Sequence, residues 1–136
     1  MSDDEPEAII RSPIIIDAEL LDWQPTVSAG ISIKELRSDP GTGATTWLLR
    51  VEAGSNVPWQ SSSTVREGYL VSGDYRQAEC VDGKAVVGQY TPGGYFYRPA
   101  DAVNGGPQSG GPDDAVWLLR EASDGEETAH TGCAAP

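Results

Sequence analysis

Between residues 30 and 120, apolar side chains recur at every second position in short runs, the period of a strand with one buried face. Gly30 to Leu36 alternates in this way and ends near Asp39-Pro40-Gly41. Thr45 to Val51 sets Trp47, Leu49 and Val51 on one face and Thr46, Leu48 and Arg50 on the other. Val116 to Arg120 repeats the Trp-Leu-Leu-Arg string of residues 47–50, which predicts two strands in one core environment rather than an internal duplication. Val65 to Ser72 and Asp74 to Val81 flank a turn at Gly73-Asp74, and Asp82-Gly83 before Lys84 to Val87 is a hairpin signal. Tyr95 to Arg98 is a further strand stopped by Pro99, Ile14 to Ile16 is a β-branched run that reads as a strand, and Gly105 to Pro112 reads as a loop. The only helical signal is a turn near Ala18 to Asp22. About eight strands and abundant turns predict an all-β domain.

With 136 residues the chain is long enough for one cored domain. Residues 13–122 form that domain. The acidic segment 1–12 and the small, polar segment 123–136 have little to pack and are expected to be mobile. The formal net charge of −12 repels phosphate backbones and anionic lipid, so neither nucleic acid nor membrane is an expected partner. The start of the chain has no basic, apolar signal pattern, and no run approaches the ~20 apolar residues of a membrane span, so a cytoplasmic location is expected. Cys80 and Cys133 have neither CxxC spacing nor paired histidines and are expected to be free thiols in a reducing compartment.

Two spaced motifs carry a resemblance. The first runs from Gly54 through Pro58, Gln60, Ser62 and Glu67 to Gly73, and the second from Gly93 through Pro99 and Asp101 to Asn104 and Gln108. They resemble the two cupin motifs over roughly residues 30–121: glycine, five residues, His-x-His, four residues, glutamate, then glycine, followed by glycine, five residues, Pro-x-Gly, two residues, His, three residues, Asn. The scaffold residues Gly54, Glu67, Gly73, Gly93 and Pro99 fall in place, with Gly73 one residue early. Gln60, Ser62 and Asn104 stand in the three histidine slots, Asp101 replaces the inner glycine, and Gln108 takes the asparagine position. The single histidine, His130, lies in the tail. The resemblance implies a small double-stranded β-helix, the cupin jelly-roll barrel, and a homodimer.

The chemistry at those slots departs from the family. Iron, nickel and zinc sites want imidazole or thiolate donors, and this set offers one carboxylate (Glu67), two amides (Gln60, Asn104) and a hydroxyl (Ser62). One carboxylate is also too little charge to hold Ca²⁺ or Mg²⁺ tightly. No metal and no cofactor are therefore expected. The amides and hydroxyl suit hydrogen bonds to a polar organic ligand, with Trp47, Tyr69, Tyr97 and Trp117 as candidate apolar walls; large aromatics of a small barrel are also ordinary core residues. Residues two apart on a strand share a face, so Glu67, Tyr69 and Val71 point together, and the resemblance turns that face into the barrel. An enclosed carboxylate with no cationic neighbour becomes a useful acid or base near neutral pH, which singles out Glu67; an ion pair with Arg66 or Arg98 would make it structural instead. The expected function is a metal-free cupin that binds a small polar or aromatic molecule. The alternatives are a metal-independent isomerase, lyase or cyclase using Glu67, and a non-catalytic regulatory module.

Overall fold

The computed structural model describes residues 13–55, 57–61, 64–81, 83–99, 103–106 and 113–122, of which 57–61, 81 and 103–106 are described by backbone alone. Among the described residues, ten strands follow one 3-10 turn at Ala18–Leu20: β1 (Gln24–Pro25), β2 (Ile31–Ser38), β3 (Thr45–Val51), β4 (Val57–Ser61), β5 (Val65–Ser72), β6 (Tyr75–Val81), β7 (Lys84–Tyr90), β8 (Tyr95–Arg98), β9 (Val103–Gly106) and β10 (Ala115–Ala122). They form a six-stranded sheet in the order β1-β2-β3-β10-β5-β8 and a four-stranded sheet in the order β4-β9-β6-β7. All pairings are antiparallel. This is the expected all-β jelly roll. Pro25 sits on the edge strand β1, where a missing N–H is tolerated.

The alternation read from the sequence sets the inner face of the larger sheet. Val51, Leu70, Ala115, Trp117 and Leu119 form the buried cluster with Tyr75 of the smaller sheet, and Ile31, Trp47, Leu49, Tyr90 and Phe96 pack against it. The two Trp-Leu-Leu-Arg strings are neighbours, with Trp117 opposite Leu49 and Leu119 opposite Trp47. Trp117 is 2% exposed and meets Tyr75, Tyr90 and Phe96 edge to face at 5.4, 5.2 and 5.2 Å. Such pairs add roughly 0.5–1.5 kcal/mol each beyond the area buried. Gly68 is needed here: a Cβ would run into the Phe96 ring and come within 2.7 Å of Leu119 Cδ2. At Gly73 the chain passes from the larger sheet to the smaller with φ +84, and a Cβ would lie 2.8 Å from Ala115 Cα.

Several expectations are corrected. Ile14 to Ile16 is not a strand; its three side chains are exposed, because hydrophobic β-branched residues need a partner strand and none lies beside them among the described residues. Gly105 and Gly106 belong to β9 rather than to a loop, paired with Ala78 and Val57. Cys80 is disulfide-bonded, not a free thiol. The absence of a CxxC pattern gave no local sign of this bond; Cys133, the chain's other cysteine, lies outside the described residues, as do His130 and the 1–12 and 123–136 segments. No described helix is long and apolar enough to cross a membrane.

Candidate functional site

Strand β5 decides what faces inward. Leu70 and Gly68 are buried and Tyr69 and Val71 exposed, so the even positions point into the barrel and the odd positions away from it. The expected convergence of Glu67, Tyr69 and Val71 inside the barrel is therefore wrong by one residue. Glu67 lies on the outer face opposite Tyr97 and Arg120, and it accepts a hydrogen bond from the Tyr95 hydroxyl at 2.7 Å. Tyr69, Tyr95 and Tyr97 share that face and are about half exposed, at 49%, 56% and 53%. The residue that turns inward is Arg66. Counting from Arg66 also restores the interval by which Gly73 came early. The alternative of an ion pair from Arg66 or Arg98 to Glu67 is not what forms: Arg66 and Arg98 each take a different acid.

Arg66 and Arg98 are register partners on β5 and β8, and Glu121 of β10 is the partner of Arg66 on its other side. The inner face of the larger sheet thus ends in a row of one carboxylate and two guanidiniums. Arg66 Nη2 lies 3.2 Å from Glu121 Oε1, and its guanidinium sits 5.5 Å from the Trp47 ring centre. Glu121 also accepts from the Thr64 hydroxyl. Arg98 is buried over the Phe96 ring at 4.2 Å and crosses to the smaller sheet. There it holds Glu79 with two donors, Nη2 to Oε1 and Nε to Oε2 at 3.1 Å. Gln77 Nε2 donates to the same Glu79 at 2.7 Å. Burial and the nearby Glu79 charge push the Tyr90 hydroxyl up from its ordinary value, against a smaller opposite pull from Arg98.

The sequence-predicted residues divide around this row. In the smaller sheet Gln60 is the register partner of Asn104, and Asn104 of Glu79, so the backbone brings two of the three histidine slots into line with the acid that Arg98 holds. Ser62 lies outside the described residues. Trp117 is a core residue beneath the row, whereas Trp47 reaches it beside Arg66. Glu67, Tyr69 and Tyr97 are not brought there. The residues that sequence reasoning missed are Arg66, Glu79, Glu121 and Gln77. A usable signal was the parity of β5: Leu70 is the obvious core position, and Arg66 is an even distance from it.

This row does not fit a transition metal. Its cationic positions are already filled by two guanidiniums, and its acids are engaged by them. Among the described residues no three histidine, cysteine or acidic side chains group closely enough to hold an ion. The arrangement can instead recognise anions, because Arg66 has a buried Nε that no acceptor meets among the described residues.

Solved structures of low sequence identity share the fold. The cupin domain of Schizosaccharomyces pombe Cnp3 superposes with a TM-score of 0.68 at 12% identity, covering 82% of this chain and 74% of that one. KdgF from Halomonas sp. gives 0.65 at 21%, covering 82% and 94%. The polyketide cyclase RemF from Streptomyces resistomycificus gives 0.68 at 11%, covering 89% and 90%. No curated protein matches the sequence significantly. The model of the ChrR cupin-like domain matches residues 11–108, a stretch that takes in both motifs and every strand from β1 to β9. With the spacing, the two antiparallel sheets and this match in agreement, the chain belongs to the ChrR cupin-like domain family of the cupin superfamily.

Proposed function

We propose that the protein is a metal-independent cupin that binds a small polar or aromatic molecule carrying an anionic group, at the end of the barrel where Arg66 stands. The observation that carries this reading is the unequal use of two neighbouring arginines. Among the described residues, Arg98 gives two donors to Glu79 and has no buried nitrogen left unmet, whereas Arg66 makes one contact to Glu121 and keeps a buried donor unmet. An incoming carboxylate would complete its hydrogen bonding, with Trp47 as an apolar wall. Native mass spectrometry of the protein from its own host reads metal, co-purified molecule and oligomeric state together. The expected result is an acidic small molecule at one per chain, lost in Arg66→Met. A full equivalent of iron, nickel, zinc or manganese, or a ligand retained unchanged by Arg66→Met, overturns the reading.

A second reading rests on the Tyr95–Glu67 hydrogen bond. Metal-independent acid/base work by Glu67 would take place on the outer face, where Tyr97 lies opposite it. Full turnover by Glu67→Gln on a substrate found by screening would reject it. A homodimer belongs to the same proposal: among the described residues β8 is a four-residue edge strand of the larger sheet beside exposed Tyr69 and Val71, and light scattering that returns one chain mass removes it.

A further inference from the structure

We infer that a cleft on the outside of the larger sheet, between residues 23–31 and the ends of β2 and β3, is a second binding site, for a small planar monoanionic carboxylate. The cleft has a volume of about 250 Å³, with Trp23, Thr26, Gly30, Ser32, Arg50 and Glu52 on its walls. That is below the ~300–1,000 Å³ usual for drug-sized ligands, which limits the occupant to about one ring and its substituent. It lies on the opposite face of the sheet from Arg66 and is independent of the barrel reading. Ser32 and Arg50 are register partners on that outer face.

Both carry an unmet polar atom. Ser32 Oγ and Arg50 Nε are buried, and neither has a hydrogen-bond partner among the described residues. Ser32 is 8% exposed. The Arg50 guanidinium lies 4.8 Å from the Trp23 ring centre, an arrangement that fixes a cationic fork beside an aromatic wall. The neighbouring cation, Lys34, is already committed: its Nζ donates to the Ala18 carbonyl at 2.8 Å and sits 4.7 Å from the same ring. The rim is rigid. Thr26 N and Oγ1 both donate to the Ile31 carbonyl, Ile31 N donates to Ser28, and Glu52 N donates to Gly30 at 2.8 Å. A carboxylate accepts from a guanidinium and a hydroxyl side by side, and its flat body matches the indole. The Glu52 carboxylate on the wall offsets part of the positive charge, which favours a single negative charge over a phosphate dianion.

Titration of ¹⁵N-labelled protein with sodium benzoate, and separately with inorganic phosphate, tests the site by chemical shift. Saturable movement of the Trp23 indole N–H and of the Gly30, Ser32 and Glu52 amides is expected with benzoate. Arg50→Met should weaken it by at least about tenfold, the size of one lost charge-assisted hydrogen bond. Ser32→Ala should weaken it by a smaller factor, and Arg66→Met should leave it unchanged. Ser32→Ala removes only an unmet hydroxyl, so it keeps the test valid should Arg50→Met fail to give a dispersed spectrum. Benzoate that leaves these resonances still, binding that neither variant weakens, or phosphate that binds as tightly as benzoate overturns the inference.

Discussion

Arg66 and Arg98 stand side by side on the inner face of one sheet, have the same chemistry, and have opposite fates. Arg98 lies on Phe96, is held in register by a packed ring, and delivers both prongs of its fork to one carboxylate, to which Gln77 adds a third donor. Arg66 stands one strand further in, reaches Glu121 with a single nitrogen, and shares that acid with Thr64. Position in a row does not determine role. The number of donors that find acceptors does, and it separates a cross-sheet strut from a group left with capacity to bind.

The largest test of this contrast is Arg98→Met. It strands Glu79 without its cation between the sheets, and breaking one side of a buried pair costs about 3–5 kcal/mol. Glu79 keeps 24% of its side-chain exposure, so the lower end is expected, read as a large fall in Tm by calorimetry. The next test is alkaline. Tyr90 holds its proton more tightly when folded, through burial first and the Glu79 charge second. That contribution is complete below the tyrosine value of the unfolded chain, about 10, and is lost as pH rises past it. Denaturant unfolding above this point should show a decline in stability that Tyr90→Phe reduces. Arg66→Met is expected to cost about 1 kcal/mol or less, since it removes one ion pair and a ring contact and also the unmet Nε. A loss as large as that of Arg98→Met would end the contrast. Smallest is Glu67→Gln on the outer face, expected within about 0.5 kcal/mol of the parent. Its clearer readout is ultraviolet titration, in which the phenol of Tyr95, raised chiefly by its hydrogen bond to Glu67, should ionise at lower pH in the variant.

The strands that build the core were legible because alternation reports burial directly: Thr45–Val51, Val65–Ser72 and Tyr95–Arg98 appear as read. Arg98 follows the same rule: it lies an even distance from Phe96 and is buried, while Tyr97 between them is exposed. The site was misread at one residue. Motif matching rewards residue identity, so it selected the glutamate at 67, whereas the pleat of β5 presents 66 inward. The partner acids were illegible for a different reason. Glu79 and Glu121 lie on strands that meet Arg98 and Arg66 only once the sheets are assembled, and nothing local marks them. The outer cleft depends in the same way on Trp23 folding back over Arg50, a contact between residues 27 positions apart in sequence.

Enclosure of Trp117 by three ring edges makes the folded barrel optically active in a way that a loosened one is not. An indole held rigidly among asymmetric neighbours produces a near-ultraviolet dichroic band and blue-shifted emission, and acrylamide in solution cannot reach it. Loss of that band while the far-ultraviolet sheet signal persists would reveal a state whose strands remain but whose interior has melted.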